Sequence, residues 1–135
     1  MGVEYRKIAL NTKGVIFTGY VEDEIRKLLY DASLMVILPS VYEVLPITIL
    51  EGMASSKPII ASNIEGNNFM VKHGKNGFLS NPKDPVNLAE LINTLIDDKV
   101  LRKKFGSFGR KIVEKEFTME KMVHDTLKSY EILLE

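Results

Sequence analysis

The chain has 135 residues, 45% of them hydrophobic, which suits one soluble α/β-sized domain with a single core rather than two. Lys and Arg together number 18, as do Asp and Glu, so the zero net charge gives no basis for electrostatic capture of nucleic acid or an anionic membrane. The absence of cysteine rules out a disulfide framework and thiolate metal sites; no segment has the roughly 18 apolar residues of a membrane span and no signal peptide opens the chain, so a cytoplasmic location is expected.

In chain order, EYRKIALN at 4–11 puts Tyr5, Ile8 and Ala9 on one helical face, and Lys13-Gly14 turns the chain into a strand, VIFTG, at 15–19. Asp23 is expected to cap a helix with Ile25, Leu28, Leu29 and Ala32 on one stripe, followed by the apolar strand LMVIL at 34–38. Uninterrupted apolar strands mark a parallel sheet covered on both faces. A helix then runs from near Ile47 to about Ser55, Lys57-Pro58 breaks it, and PIIAS forms the next buried strand.

After Ser62, IEGNN at 64–68 reads as turn, FMVKHG as a single helical turn, and NGFLS at 76–80 as a short strand. Asp84-Pro85 starts a helix with Leu88, Leu91, Ile92, Leu95 and Ile96 on its apolar stripe. Asp98 caps a helix over about 99–116, with Leu101, Phe105, Phe108 and Ile112 inward, and Thr118 caps the last, where Val123, Leu127, Tyr130 and Leu134 share a face. The predicted fold is α/β, a Rossmann-like parallel sheet with flanking helices.

In such a sheet, ligands bind beyond the carboxyl ends of the strands, where Gly19–Glu22, Pro39–Pro46 and Ser62–Asn68 emerge together. The helix after Pro46 would aim its unpaired N–H groups and positive dipole end at that edge, favouring an anionic group such as a diphosphate. Glu51, about one turn into the helix, would accept two hydrogen bonds from vicinal hydroxyls, and Glu43 on the loop would reach a second polyhydroxy group. His73 reads as a polar loop residue rather than a phosphate ligand, Lys72 and Lys75 as surface lysines or diphosphate cations, and Met35, Met53 and Met119 as core or near-core side chains.

The stretch PSVYEVLPITILEGMASSKPIIAS resembles the nucleotide-sugar site of retaining GT-B glycosyltransferases of family four, which carry a Glu-x7-Glu motif; Glu43 and Glu51 match it, with Pro39, Ser40, Gly52, Met53, Ala54, Pro58, Ala61 and Ser62 around them. The match continues through VIFTGYV, HGKNGFL, NPKDPVNLAELI and EKEFTMEKM. The resemblance implies that residues 1–135 are a partial C-terminal donor-binding domain. In it Glu51 would bind the donor ribose and Glu43 would hold the transferred sugar as the catalytic residue. The backbone of Val44, Leu45, Pro46, Ile47 and Thr48 would line sugar and diphosphate, Gly19 and Tyr20 would border the base, and Gly66 would complete the donor-binding set. The implied chemistry is transfer with retention, with a nucleotide-diphosphate sugar as donor and neither metal nor other cofactor; the acceptor, a sugar, lipid or protein, is not specified.

Departures from the pattern carry expectations of their own. Val44 stands where the family has glycine, Ser56 replaces another glycine and would lengthen its helix, and Glu65, Gly66, Asn67, Asn68 and Phe69 replace a Gly-Gly-x-Pro-Glu loop, keeping its second glycine. Family members also have an N-terminal acceptor domain, then two strands and a helix carrying a basic pair before the segment matched here. With sheet order 3-2-1-4-5-6, lacking the first two strands would leave VIFTG without its neighbours, so a missing N-terminal domain or a second chain would be needed for turnover and the isolated chain would be inactive. Peripheral membrane association is expected only for such a full-length enzyme. The alternatives are a non-catalytic nucleotide-sugar-binding or assembly module of the same fold and an epimerase of that architecture.

Overall fold

The computed structural model describes Ala9 and residues 12–134. Helix α1 (Asp23–Ala32) leads to strand β1 (Val36–Leu38), helix α2 (Ile47–Ala54) to β2 (Ile59–Ser62), and the short α3 (Glu65–Met70) to β3 (Gly77–Ser80). Helices α4 (Pro85–Asp97), α5 (Lys99–Glu116) and α6 (Met119–Leu134) complete the described chain. The strands form a parallel sheet in the order β1-β2-β3, in register from Val36↔Ile59 and from Ile59↔Gly77. This is the α/β architecture expected, with each strand one or two residues shorter than its apolar run. The helix expected over residues 4–11 lies, Ala9 apart, outside the described residues.

All four residues of the central strand β2 are buried, and alternation sends them to two cores. Ile59 and Ala61 join Val36, Ile49, Met53, Met70 and Val71 beneath α2 and α3. On the opposite face Ile60 packs with Leu95 and Phe105, ringed by Met35 just before β1, Phe78 of β3, and Leu88, Leu91, Ile92 and Leu101 from α4 and α5. Both sides of the sheet are therefore covered at β2, as its unbroken apolar sequence demands.

The cover fails at the other edge. Residues 15–19 form no strand, and Val15, Ile16 and Phe17 are 48%, 84% and 49% exposed. A strand exists only within a ladder, and β1 has a described ladder neighbour on the β2 side alone. The same geometry corrects the expected packing of α1. Ile25, Leu28 and Leu29 do share a stripe, yet α1 buries none of its residues and Ile37 of β1 is 38% exposed, because no described sheet surface lies beneath them.

Helix ends follow local chemistry. The Asp84 carboxylate accepts from Asn87 N–H (3.0 Å), Asp98 from Leu101 N–H (2.7 Å), and the Thr118 hydroxyl from Lys121 N–H (3.1 Å), so all three predicted caps form. The backbone bond from Asn87 and the side-chain bond from Asn81 hold the Asp84 carboxyl below its ordinary pKa, so the stabilisation this cap gives is present above the unfolded carboxyl pKa and lost as pH falls through the lower folded value. At α1, by contrast, Glu22 occupies the cap position without a side-chain bond and Asp23 lies in the first turn, so the expected Asp23 cap is absent. Ser56 does not lengthen α2. The helix stops at Ala54, Ser56 takes φ 55°, and Ser56 and Lys57 N–H groups return to Met53 and Gly52 carbonyls, a Schellman closure with serine where glycine is favoured.

Three further expectations are overturned. Residues 65–70 are helical, where a turn followed by a helical turn from Phe69 was expected. Phe108 is 42% exposed and Met119 67% exposed, so neither is core; α5 instead buries Phe105, Gly106 and Gly109, the two glycines lying against Ser56 and Met53 at the end of α2. Val123, Leu127, Tyr130 and Leu134, expected only to share a face of α6, are each exposed. Among the described residues no helix is long and apolar enough to cross a membrane.

Candidate functional site

The site is built on the chain between β1 and α2. β1 ends at Leu38, the segment from Pro39 to Pro46 crosses the carboxyl end of the sheet, and α2 starts at Ile47. Pro46, buried, is the N-cap of α2 and offers no side-chain hydrogen bond, and the first turn holds no acidic residue. The positive end of the helix is thus not neutralised by its own cap, an arrangement suited to an anion.

Glu43 is half-buried on the loop, its Oε1 accepting from Ser40 Oγ at 2.7 Å. It borders a hollow of about 400 Å³ shared with Val41, Tyr42, Val44, Ile64, Glu65, Gly66 and Phe69. Gly66 explains why the loop can lie there: a Cβ on it would sit 2.2 Å from the Glu43 carbonyl oxygen and 2.9 Å from that of Val44. The surviving glycine of the 64–68 segment is therefore a packing requirement that sets the Glu43 loop against α3. Asn67, buried, fixes the same turn by donating from Nδ2 to the Ser62 carbonyl at 2.9 Å. The Val44 side chain is 72% exposed at the mouth of the hollow.

Glu51 is the fifth residue of α2 and faces α1 instead. Its Oε1 is ion-paired with Arg26 Nη2 at 3.1 Å, and its Oε2 accepts a hydrogen bond from the Tyr30 hydroxyl at 3.1 Å. Burial, then donation to Glu51, pushes the Tyr30 phenol above its ordinary pKa of 10.0, so it stays a neutral donor through the physiological range. The carboxylate borders a second hollow, about 270 Å³, with Asp23, Arg26, Lys27, Tyr30, Ala54, Ser55 and Arg110.

The structure thus brings both glutamates to the β1–α2 connection but gives them separate hollows. Leu45 and Ile47 border a third, against α6, while Thr48 is half-buried within α2. Gly19 and Tyr20 lie in the irregular segment before α1, Tyr20 91% exposed, and border neither glutamate hollow. His73 is structural, its Nδ1 accepting from Leu79 N–H at 3.0 Å and its ring tilted over Phe78. Lys72 Nζ donates to the Asn68 carbonyl at 3.1 Å.

Sequence reading passed over Arg26 and Tyr30. Their signal was present: Asp23, Arg26 and Tyr30 are spaced i, i+3, i+7 and share one helical face, polar against the apolar stripe of α1. What the spacing does not reveal is that this face meets Glu51.

A family model described as glycosyl transferases group 1 matches residues 4–112. The chain is 31% identical over 121 residues to the uncharacterized glycosyltransferase MJ1607 of Methanocaldococcus jannaschii, covering 90% of this chain and 31% of that protein. It is 31% identical over 124 residues to O-antigen chain mannosyltransferase C of Escherichia coli, covering 90% and 33% respectively. The chain therefore spans about a third of the length of these relatives. Among solved structures, sucrose-phosphate synthase from Thermosynechococcus elongatus superposes with a TM-score of 0.91 at 27% identity, over 97% of this chain and 34% of that one. Anabaena Alr3699/HepE, in complex with UDP-glucose, superposes with a TM-score of 0.82 at 29% identity, over 93% and 36%. The three-stranded parallel sheet with its flanking helices matches the C-terminal domains of GT-B glycosyltransferases.

Proposed function

Because the chain belongs to the glycosyl transferases group 1 family, we propose that it is the donor-binding part of a retaining GT-B hexosyltransferase. One observation carries the reading: the connection leaving β1 holds Glu43 on a loop at the sheet's carboxyl end and Glu51 one turn into the helix that follows. In this reading Glu51 accepts hydrogen bonds from the ribose hydroxyls and Glu43 from the hydroxyls of the transferred sugar. The backbone of Val44 to Thr48 and the uncapped start of α2 receive the diphosphate, and Gly19 and Tyr20 border the base.

The chemistry is a front-face displacement. The bond from the anomeric carbon to the diphosphate oxygen breaks, the acceptor hydroxyl forms its bond on the same face, and its proton passes to the departing diphosphate. No metal is assigned a step. The HepE structures hold UDP or UDP-glucose, which supports a nucleotide sugar as ligand. The chain by itself is expected to bind donor without turnover, the acceptor being brought by a second domain or chain.

Product stereochemistry tests the reading. With an α-linked nucleotide sugar, the full-length protein should give an α-linked product by proton NMR, and Glu43→Ala should lower kcat about 100-fold through loss of sugar positioning. A β-linked product would overturn retention.

A second reading, an assembly module that keeps the fold as a protein contact, draws on the exposed apolar residues Ile16, Leu28 and Leu29. It is distinguished by protein association in the absence of any nucleotide binding.

A further inference from the structure

Glu51 does not stand alone before its hollow. A carboxylate offers about four lone-pair sites, two on each oxygen. Arg26 Nη2 is ion-paired with Oε1 and the Tyr30 hydroxyl donates to Oε2, each at 3.1 Å, so both oxygens are held from α1 and each keeps acceptor capacity for a ligand. Arg26 and Tyr30 come from α1 and Glu51 from α2, and all three border the hollow of about 270 Å³. Arg26 is itself held, since the same Nη2 lies 3.1 Å from Asp23 Oδ1, one turn back on α1. The Glu51 side chain is 30% exposed and would otherwise be free to change rotamer.

We propose that Arg26, by its ion pair, and Tyr30, by its hydrogen bond, are positioning residues that clamp the two Glu51 oxygens so that their remaining acceptor capacity faces a vicinal diol. The inference rests on the assignment of Glu51 to the donor ribose and adds how that carboxylate is aimed. A mobile glutamate would meet the same hydroxyls after losing rotamer freedom at the moment of binding; a clamped one has lost it already. Neither Arg26 nor Tyr30 needs to touch the nucleotide. The alternative, an ordinary surface ion pair, would contribute to neither affinity nor ribose selectivity.

The test separates these roles by pairing protein variants with ribose variants. UDP and its 2′-deoxy and 3′-deoxy analogues are titrated calorimetrically into the wild-type protein, Arg26→Gln, Tyr30→Phe, Arg26→Lys and Glu51→Ala; GDP and its analogues are used if the protein prefers guanine. In the wild type, removing one ribose hydroxyl should weaken binding about tenfold, the order expected for one hydrogen bond to a charged group. In Arg26→Gln and Tyr30→Phe that penalty should fall to about twofold, with affinity for the intact ribose reduced about five- to tenfold. Arg26→Lys, which keeps one charged donor, should recover part of the loss. Thermal unfolding midpoints near the wild-type value establish that the variants are folded, and Tyr30→Phe serves if Arg26→Gln is not.

Binding that needs Glu51 but shows a full deoxyribose penalty in both Arg26→Gln and Tyr30→Phe would overturn the clamp while leaving the ribose assignment intact. Binding indifferent to Glu51→Ala would overturn the ribose assignment, and the clamp with it.

Discussion

Glu51→Ala is expected to weaken binding of a nucleotide sugar by at least about 100-fold, because it removes two charge-assisted hydrogen bonds of about 1.5–3 kcal/mol each. The loss should fall on affinity and spare the fold. Glu51 lies on the α1-facing side of α2, its carboxylate partly exposed and its Arg26 partner 42% exposed, and pairs of that kind contribute at most about 1 kcal/mol to stability. The core beneath α2 is made by Ile49 and Met53, on the helix's other side, and is untouched. Glu51→Gln should recover little, since an amide presents one acceptor oxygen where the diol requires two. Isothermal titration gives the affinity and chemical denaturation the stability; equal affinity in wild type and Glu51→Ala would remove Glu51 from the site.

Gly106→Ala is expected to destabilise the protein by about 3 kcal/mol, at the upper end of ordinary overpacking. In an exposed helix the same substitution would stabilise by about 1 kcal/mol, so the sign depends on what the new methyl meets. A Cβ at Gly106 would lie 1.9 Å from the Ser56 carbonyl oxygen and 2.7 Å from its carbon. Both are backbone atoms of the Schellman turn that closes α2, with Lys57 N–H tied to the Gly52 carbonyl at 2.9 Å, so neither can yield cheaply. Helix α5 must move instead. The neighbouring Phe105, 1% exposed, would then lose its place against Ile60 and its edge contact with Phe78. A denaturation midpoint at or above the wild-type value would mean that α5 does not seat on this turn.

Much of this was legible in the sequence because local chemistry dictated it. LMVIL, PIIAS and NGFLS could be buried as strands and little else, and Asp84, Asp98 and Thr118 each stand one position before a helix whose first turn needs an acceptor. The placement of Glu51 one turn into a helix after Pro46 followed in the same way. What was not legible depends on contacts distant in sequence. EGNNFM has poor helix propensity, and becomes α3 because Asn67 is bonded to Ser62 and Gly66 is pressed against the Glu43 carbonyl. The stripe on α1 predicts a buried face, but periodicity states only that the residues are aligned, not that a sheet lies under them. VIFTG is likewise strand-forming in composition and has no ladder partner among the described residues. The two glutamates were read as lying over one sheet edge; Glu43 instead shares its hollow with α3 and Glu51 with α1.

The central claim is that the carboxyl edge of this sheet binds a nucleotide sugar, and backbone amide NMR on titration with UDP-sugars, followed by GDP-sugars, tests it most directly. Saturable shifts concentrated at residues 43–51 and 64–67, with the Tyr30 and Arg26 signals moving in parallel, are the predicted result. Unchanged spectra at millimolar nucleotide sugar, or shifts confined to α4, α5 and α6, would contradict it.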